Sequence, residues 1–165
     1  MLALLASISS LIGCEDGPTT GNTVVSSNAN VRNSNRAIEP GMDGAKDNAE
    51  ELSSLVKLPY EPEDLVWKEF PGAQGRRLVA VFQLTDDDAK KLVDTASKTR
   101  PGAPVSIASE TWFPTELVTQ SEISGDTGIQ ATSYSAEQFY QSPYNEGTLS
   151  RVDKTNFFVL EVFAK

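Results

Sequence analysis

Histidine is absent from this 165-residue chain, and cysteine occurs once, at position 14. Without His there is no side chain that ordinarily titrates near neutral pH, and the commonest metal ligand is missing. Ser-His-Asp and Cys-His catalysis and His-based zinc sites are thereby excluded. A lone Cys gives no internal disulfide and no thiolate cluster, so no metal and no other cofactor is expected. Positive charge is also scarce: 14 Lys and Arg stand against 23 Asp and Glu, for a net charge of −9. That balance argues against nucleic acid, which needs a basic patch, and against electrostatic docking of the domain on anionic lipid.

Long apolar runs are missing too. The longest, Leu2 to Ile12, falls well short of the ~20 residues that span a bilayer. It has the length of the apolar region of a secretory signal, which is about 7–15 residues, although no Lys or Arg precedes it. A buried helix is the competing reading, but Gly13 and Glu15-Asp16-Gly17-Pro18 stop any helix there. Leu11-Ile12-Gly13-Cys14 resembles the lipobox of bacterial lipoproteins: a branched apolar residue, a small or β-branched one, Gly or Ala, then Cys. The resemblance implies diacylglyceryl transfer to the Cys14 sulfur, cleavage after Gly13, N-acylation of the new terminus and a place on a membrane outside the cytoplasm, facing the periplasm or the cell exterior. Two or more acyl chains hold a protein stably at about 0.8 kcal/mol per buried CH₂, whereas one holds it marginally.

Residues 15–50 are rich in Asn, Ser, Thr and Gly, with a near low-complexity stretch at 26–35. Such a segment buries too little apolar surface to offset its ordering entropy, and it resembles the polar tethers that follow lipidated cysteines. As a coil of about 36 residues it would span roughly 30–36 Å. The organisation expected is therefore a signal peptide at 1–13, a lipidated Cys and tether at 14–50, and one domain at 51–165.

In the domain, Leu52, Leu55 and Val56 suggest a helical turn, and residues 63–70 fit either a short helix or a strand. Arg77 to Leu84 alternates, with Leu78, Ala80, Phe82 and Leu84 on one side and Val79, Val81 and Gln83 on the other. Both sides are mostly apolar, which places the strand inside a sheet. Thr85 caps a helix over about 85–98: Asp86, Asp87 and Asp88 lie at its positive end and Ala89, Leu92, Val93 and Ala96 form its apolar stripe. The three aspartates lack the alternating ligands of a calcium loop. A short strand follows at Val105 to Ala108, then a short helix with Pro114 in its first turn, a polar loop or weak hairpin from Ser121 to Thr132, and a short helix from Ser135 to Gln141. Gly147 to Val152 and Phe157 to Ala164 make a hairpin, whose second strand is apolar on both faces apart from Glu161. The fold class expected is α+β: a small, mostly antiparallel sheet with one clear helix and short helices packed on it.

Gly125-Asp126-Thr127-Gly128 lacks the Lys of a phosphate loop. Carboxylates are the remaining acid–base groups, and Glu110, Glu116, Glu122 and Asp126 fall in loop-like stretches where a glycosidase-like pair could sit. In an acidic chain they are more often solvated surface. Trp112, Phe113, Phe139, Tyr140 and Tyr144 cluster in the irregular half and could form an aromatic platform for a sugar ring or a peptide, the plainer reading being that they cap the sheet. The expected function is a membrane-anchored lipoprotein presenting a small non-enzymatic binding or envelope-assembly domain. Its partners would be the membrane, through Cys14, and an envelope protein or glycan. The alternative from another class is a small carboxylate-dependent hydrolase of envelope glycans.

Overall fold

The computed structural model describes residues 44–72, 75–124 and 128–165, with backbone alone for 120–124. The signal, Cys14 and the tether up to residue 43 lie outside the described residues. Within them the order is α1 (Ala49–Ser53), β1 (Asp64–Gly72), β2 (Gly75–Gln83), α2 (Asp86–Thr99), β3 (Ala103–Ile107), α3 (Thr115–Ser124), β4 (Ile129–Ser135), a 3₁₀ turn (Glu137–Phe139), β5 (Glu146–Val152) and β6 (Phe157–Ala164). The six strands form one antiparallel sheet in the order β1-β2-β6-β5-β4-β3. This is the small α+β architecture that the residue pattern implies.

Alternation along the strands produces two apolar layers. Leu65, Trp67, Leu78, Ala80, Phe82, Leu149, Phe158, Leu160 and Val162 face one side, where α1, α2 and the 136–144 segment cover them. Val66, Val79, Val81, Val152, Phe157 and Val159 face the other, under Trp112, Phe113 and Leu117. The second cover comes from α3 and the turn before it. β2 and β6 feed both layers and are interior strands, as their two apolar faces require.

α2 begins where its sequence says it should. The Thr85 hydroxyl accepts from Asp88 N at 3.2 Å, and Ala89, Leu92 and Ala96 are buried. Asp88 pairs with Lys91, and that hydrogen bond holds its carboxyl below the usual carboxylate range. Asp86 accepts from Asn156 Nδ2 at 2.5 Å, tying the helix to the β5–β6 turn. The acidic first turn thus serves the helix and its docking.

One open expectation is decided and two others change. Residues 64–72 are strand, because Val66 and Trp67 must enter opposite layers, which a helix cannot arrange. The stretch 121–132, expected as a loop or weak hairpin, divides into the end of α3 and the start of β4. β4 carries few apolar residues, but Ile129 and Ala131 are buried and its backbone pairs on both sides, with β3 and β5. The helix expected over 135–141 is a single 3₁₀ turn.

The last residues assigned to the tether are built into the sheet edge. Lys46 pairs with Trp67 through Lys46 N to Trp67 O at 2.8 Å and Trp67 N to Lys46 O at 2.7 Å. The Trp67 indole N–H donates to Asn48 O at 3.1 Å, Lys46 Nζ lies 4.7 Å from the centre of the Trp67 ring, and the same ammonium pairs with Glu51. Asn48 Oδ1 then caps α1 by accepting from Glu51 N at 2.9 Å. No helix among the described residues is long and apolar enough to cross a membrane.

Two outcomes follow for stability. A chain trimmed to begin at Ser53 loses Leu52, fully buried, together with the Lys46 and Asn48 contacts. By denaturant unfolding it should be at least about 2 kcal/mol less stable than one beginning at Gly44. Gly75 has φ +131°, and a Cβ there would lie 1.9 Å from Ala164 O. Gly75→Ala should cost at least about 2 kcal/mol by the same measurement.

Candidate functional site

The cover on the second face of the sheet is incomplete. Successive cross-strand rows run across β1, β2, β6 and β5 on that face. Val66, Val81, Val159 and Ser150 make one row, all buried. The next holds Lys68, Val79, Glu161 and Thr148, and the last Phe70, Arg77, Phe163 and Glu146. Trp112 and Phe113 meet edge to face, centroids 4.7 Å apart, and Trp112 reaches Phe70 at 6.4 Å. There the cover ends. Phe163, at 37% exposure, is the one exposed large apolar side chain among the described residues.

An open groove of about 600 Å³ lies at this end of the sheet, lined by Phe70, Arg76, Arg77, Glu146, Phe163 and Lys165 among others. That volume falls in the range of small-ligand sites. Arg77 occupies the middle of the last row. Its guanidinium carbon is 4.9 Å from the Phe70 ring centre, and its Nε donates to Glu161 Oε1 at 2.5 Å. Lys165 pairs with Glu146 at 2.7 Å. Arg77 and Lys165 each have a carboxylate partner, so the groove wall is polar and nearly neutral. Arg76 borders the groove, but it lies 3.7 Å from Glu69, which is on the other face of the sheet.

On the opposite face, at the same end, Tyr144 is fully buried and its hydroxyl donates to Glu69 Oε1 at 2.5 Å, with Arg76 5.7 Å from its ring centre. Burial first, and then the bond to the Glu69 carboxylate, push the Tyr144 phenol far above its ordinary range. Tyr140 donates to Gly147 O at 3.2 Å and is also raised, chiefly by burial. Tyr144 is thus a hydrogen-bonded member of the first-face core, with Tyr140 packed against it.

The five rings proposed as a platform are placed differently from that expectation. Trp112 and Phe113, 3% and 5% exposed, belong to the second-face layer. Phe139 and Tyr144, 1% and 0% exposed, belong to the first, with Tyr140 packed against it. They sit on opposite faces of one sheet and four of them are core, so they form no common exposed surface. Apolar rings in the irregular connections were needed to cover both faces, and the covering role takes them. Trp112 Nε1 is the one buried side-chain polar atom among the described residues that has no hydrogen-bond partner.

Of the carboxylates considered for acid–base work, Glu110 is half-buried in the turn before Trp112 and Glu116 is exposed on α3. Asp126 and the side chain of Glu122 lie outside the described residues. Phe70, Arg77, Glu146 and Phe163 belong to no motif that marks them in the sequence as site residues. A signal for them existed in Glu161, the single charge in an otherwise apolar strand, which marks where that face of β6 leaves the core. Phe163, two residues on, must then face solvent.

Tyr144→Ala combined with Tyr140→Ala should lower unfolding free energy by about 3–5 kcal/mol, the cost of a large buried ring. The raised phenols also set a pH dependence. Their folded-state values lie above the ordinary 10.0, so the stability they contribute is complete below pH 10 and is lost as pH rises above it. In Tyr144→Phe, which removes one buried hydrogen bond worth about 1 kcal/mol, the alkaline fall in melting temperature should be shallower. No family model, no curated protein and no solved structure matches the chain.

Proposed function

We propose that this chain is a lipid-anchored, non-enzymatic binding module, held through Cys14 outside the cytoplasm and contacting its ligand at the open end of the sheet. The observation that carries the binding reading is Phe163, exposed in a groove of about 600 Å³ between Phe70 and Lys165. Isolated apolar exposure is ordinary on a protein surface. Here the exposed ring sits in a concave site with an ordered guanidinium beside it, and a few fixed polar groups in a partly apolar concavity are what a recognition site needs.

Support for the anchor is Leu11-Ile12-Gly13-Cys14 with the apolar run before it and the polar segment after it. The described fold begins at residue 44, so about 30 residues separate Cys14 from it. A link of that length lets the domain engage a ligand at some distance from the bilayer.

Palmitate labelling tests the anchor: Cys14→Ser should abolish it and release the protein from the membrane fraction. Labelling that persists in the variant overturns the lipoprotein reading. For the groove, a photo-crosslinking residue placed at Phe163 in intact cells should give adducts that the same residue at exposed Lys90 does not. Equal yields at both positions would remove the groove from the proposal.

A further inference from the structure

The chemistry of the groove narrows its ligand. We propose that it takes a neutral glycan segment, with a sugar ring stacked on Phe163 and hydroxyls bonded to the Arg77–Glu161 pair; this rests on the groove being the binding site.

Charge is the first argument. The groove's cations Arg77 and Lys165 are matched by Glu161 and Glu146 at 2.5 and 2.7 Å. An anionic ligand would have to displace these carboxylates, and it would do so on a chain of net charge −9. A neutral ligand meets no such opposition. A paired guanidinium and carboxylate offers fixed, directional donors and acceptors with little net charge, which suits a ligand whose hydroxyls both donate and accept.

The ring arrangement is the second. Phe70 and Phe163 occupy the same cross-strand row on strands two apart, on either side of Arg77. Strand spacing puts them ~10 Å from one another. Phe70 is braced from beneath by Trp112, and Arg77 and Lys68 lie over its ring at 4.9 and 5.6 Å, so its face is already taken. Phe163 remains the open ring. The negative face of an aromatic ring attracts the polarised C–H bonds of a sugar without any demand on net charge.

Sheet edges supply the third argument, because they weigh against the rival ligand, an extended peptide. Such a peptide is usually bound by adding a strand, through a run of free backbone groups at an edge. β1 carries Pro71 and has Trp67 already paired with Lys46, while the other edge strand, β3, carries Pro104. Proline removes a donor and belongs on edges that are closed to further pairing. The groove opens on a face, which favours a ligand that stacks over one that pairs.

Titration calorimetry of the full-length chain with cellotetraose, chitotetraose, maltotetraose and a Glu/Asp-rich peptide tests this. One of the three tetrasaccharides should bind saturably with Kd below ~1 mM. Its affinity should change by no more than about twofold between ~0.05 and ~0.5 M NaCl, because a neutral ligand is not screened. Phe163→Ala and Arg77→Ala should each weaken it at least ~10-fold, with melting temperature held within about 3 °C, since neither side chain is core. If no tetrasaccharide binds and the acidic peptide binds in a Phe163-dependent, salt-sensitive manner, the glycan inference fails and the groove reading stands. If nothing binds, or if binding ignores both substitutions, the glycan inference and the groove reading fail together.

Discussion

Everything in this domain depends on burying β6 from both sides. Phe157–Ala164 is hydrogen-bonded to β2 on one flank and β5 on the other, and its side chains alternate between two apolar layers. A strand that is apolar on both faces cannot rest on a single layer of helices, because the uncovered face would expose a row of large side chains to water. The chain therefore has to supply two covers. The first is generous, with α1, α2 and the 136–144 segment over Phe158, Leu160 and Val162. The second is brief and rests largely on Trp112, Phe113 and Leu117.

The groove follows from that imbalance. The second cover reaches as far as Phe70, and beyond it β6 presents Glu161 and Phe163. Glu161 meets the change by pairing with Arg77, which also lies over Phe70. A half-covered sheet end of this kind is held in place by the core beneath it. Arg77 and Phe163 stand on strands paired on both sides, so binding there would need little rearrangement of the backbone. Preorganisation of this sort limits the ordering cost that a ligand must overcome.

Much of the fold is legible in the chain because the strongest elements satisfy local and tertiary demands at once. The residues of β2 divide between faces as their alternation implies, and Thr85 caps α2. β1 was ambiguous because Leu65-Val66-Trp67 is a short apolar run that fits either period. β4 was missed because Ile-Gln-Ala-Thr-Ser-Tyr-Ser carries little hydrophobic signal; pairing with β3 and β5 makes it a strand. The aromatic residues were legible as a group, but which were core and which exposed was not. Sequence proximity put Trp112 and Phe113 beside Phe139, Tyr140 and Tyr144, while the topology sends them to opposite faces of one sheet.

By itself the sequence determined which chemistries are closed. The absence of His closes His-dependent triads and His-based zinc sites, and the single Cys leaves no internal disulfide and no thiolate cluster, whatever the fold. It also determined the periodicity of β2, α2 and β6, because that is written in the order of side chains along one element. Only the tertiary structure decided where the open groove lies. Phe70, Arg77, Phe163 and Glu146 come from four strands and share one row through hydrogen-bond register alone. Hairpin turns set the register of β1 with β2 and of β5 with β6, but β2 and β6 are distant in sequence, and their register is set by how two layers of side chains pack across the sheet.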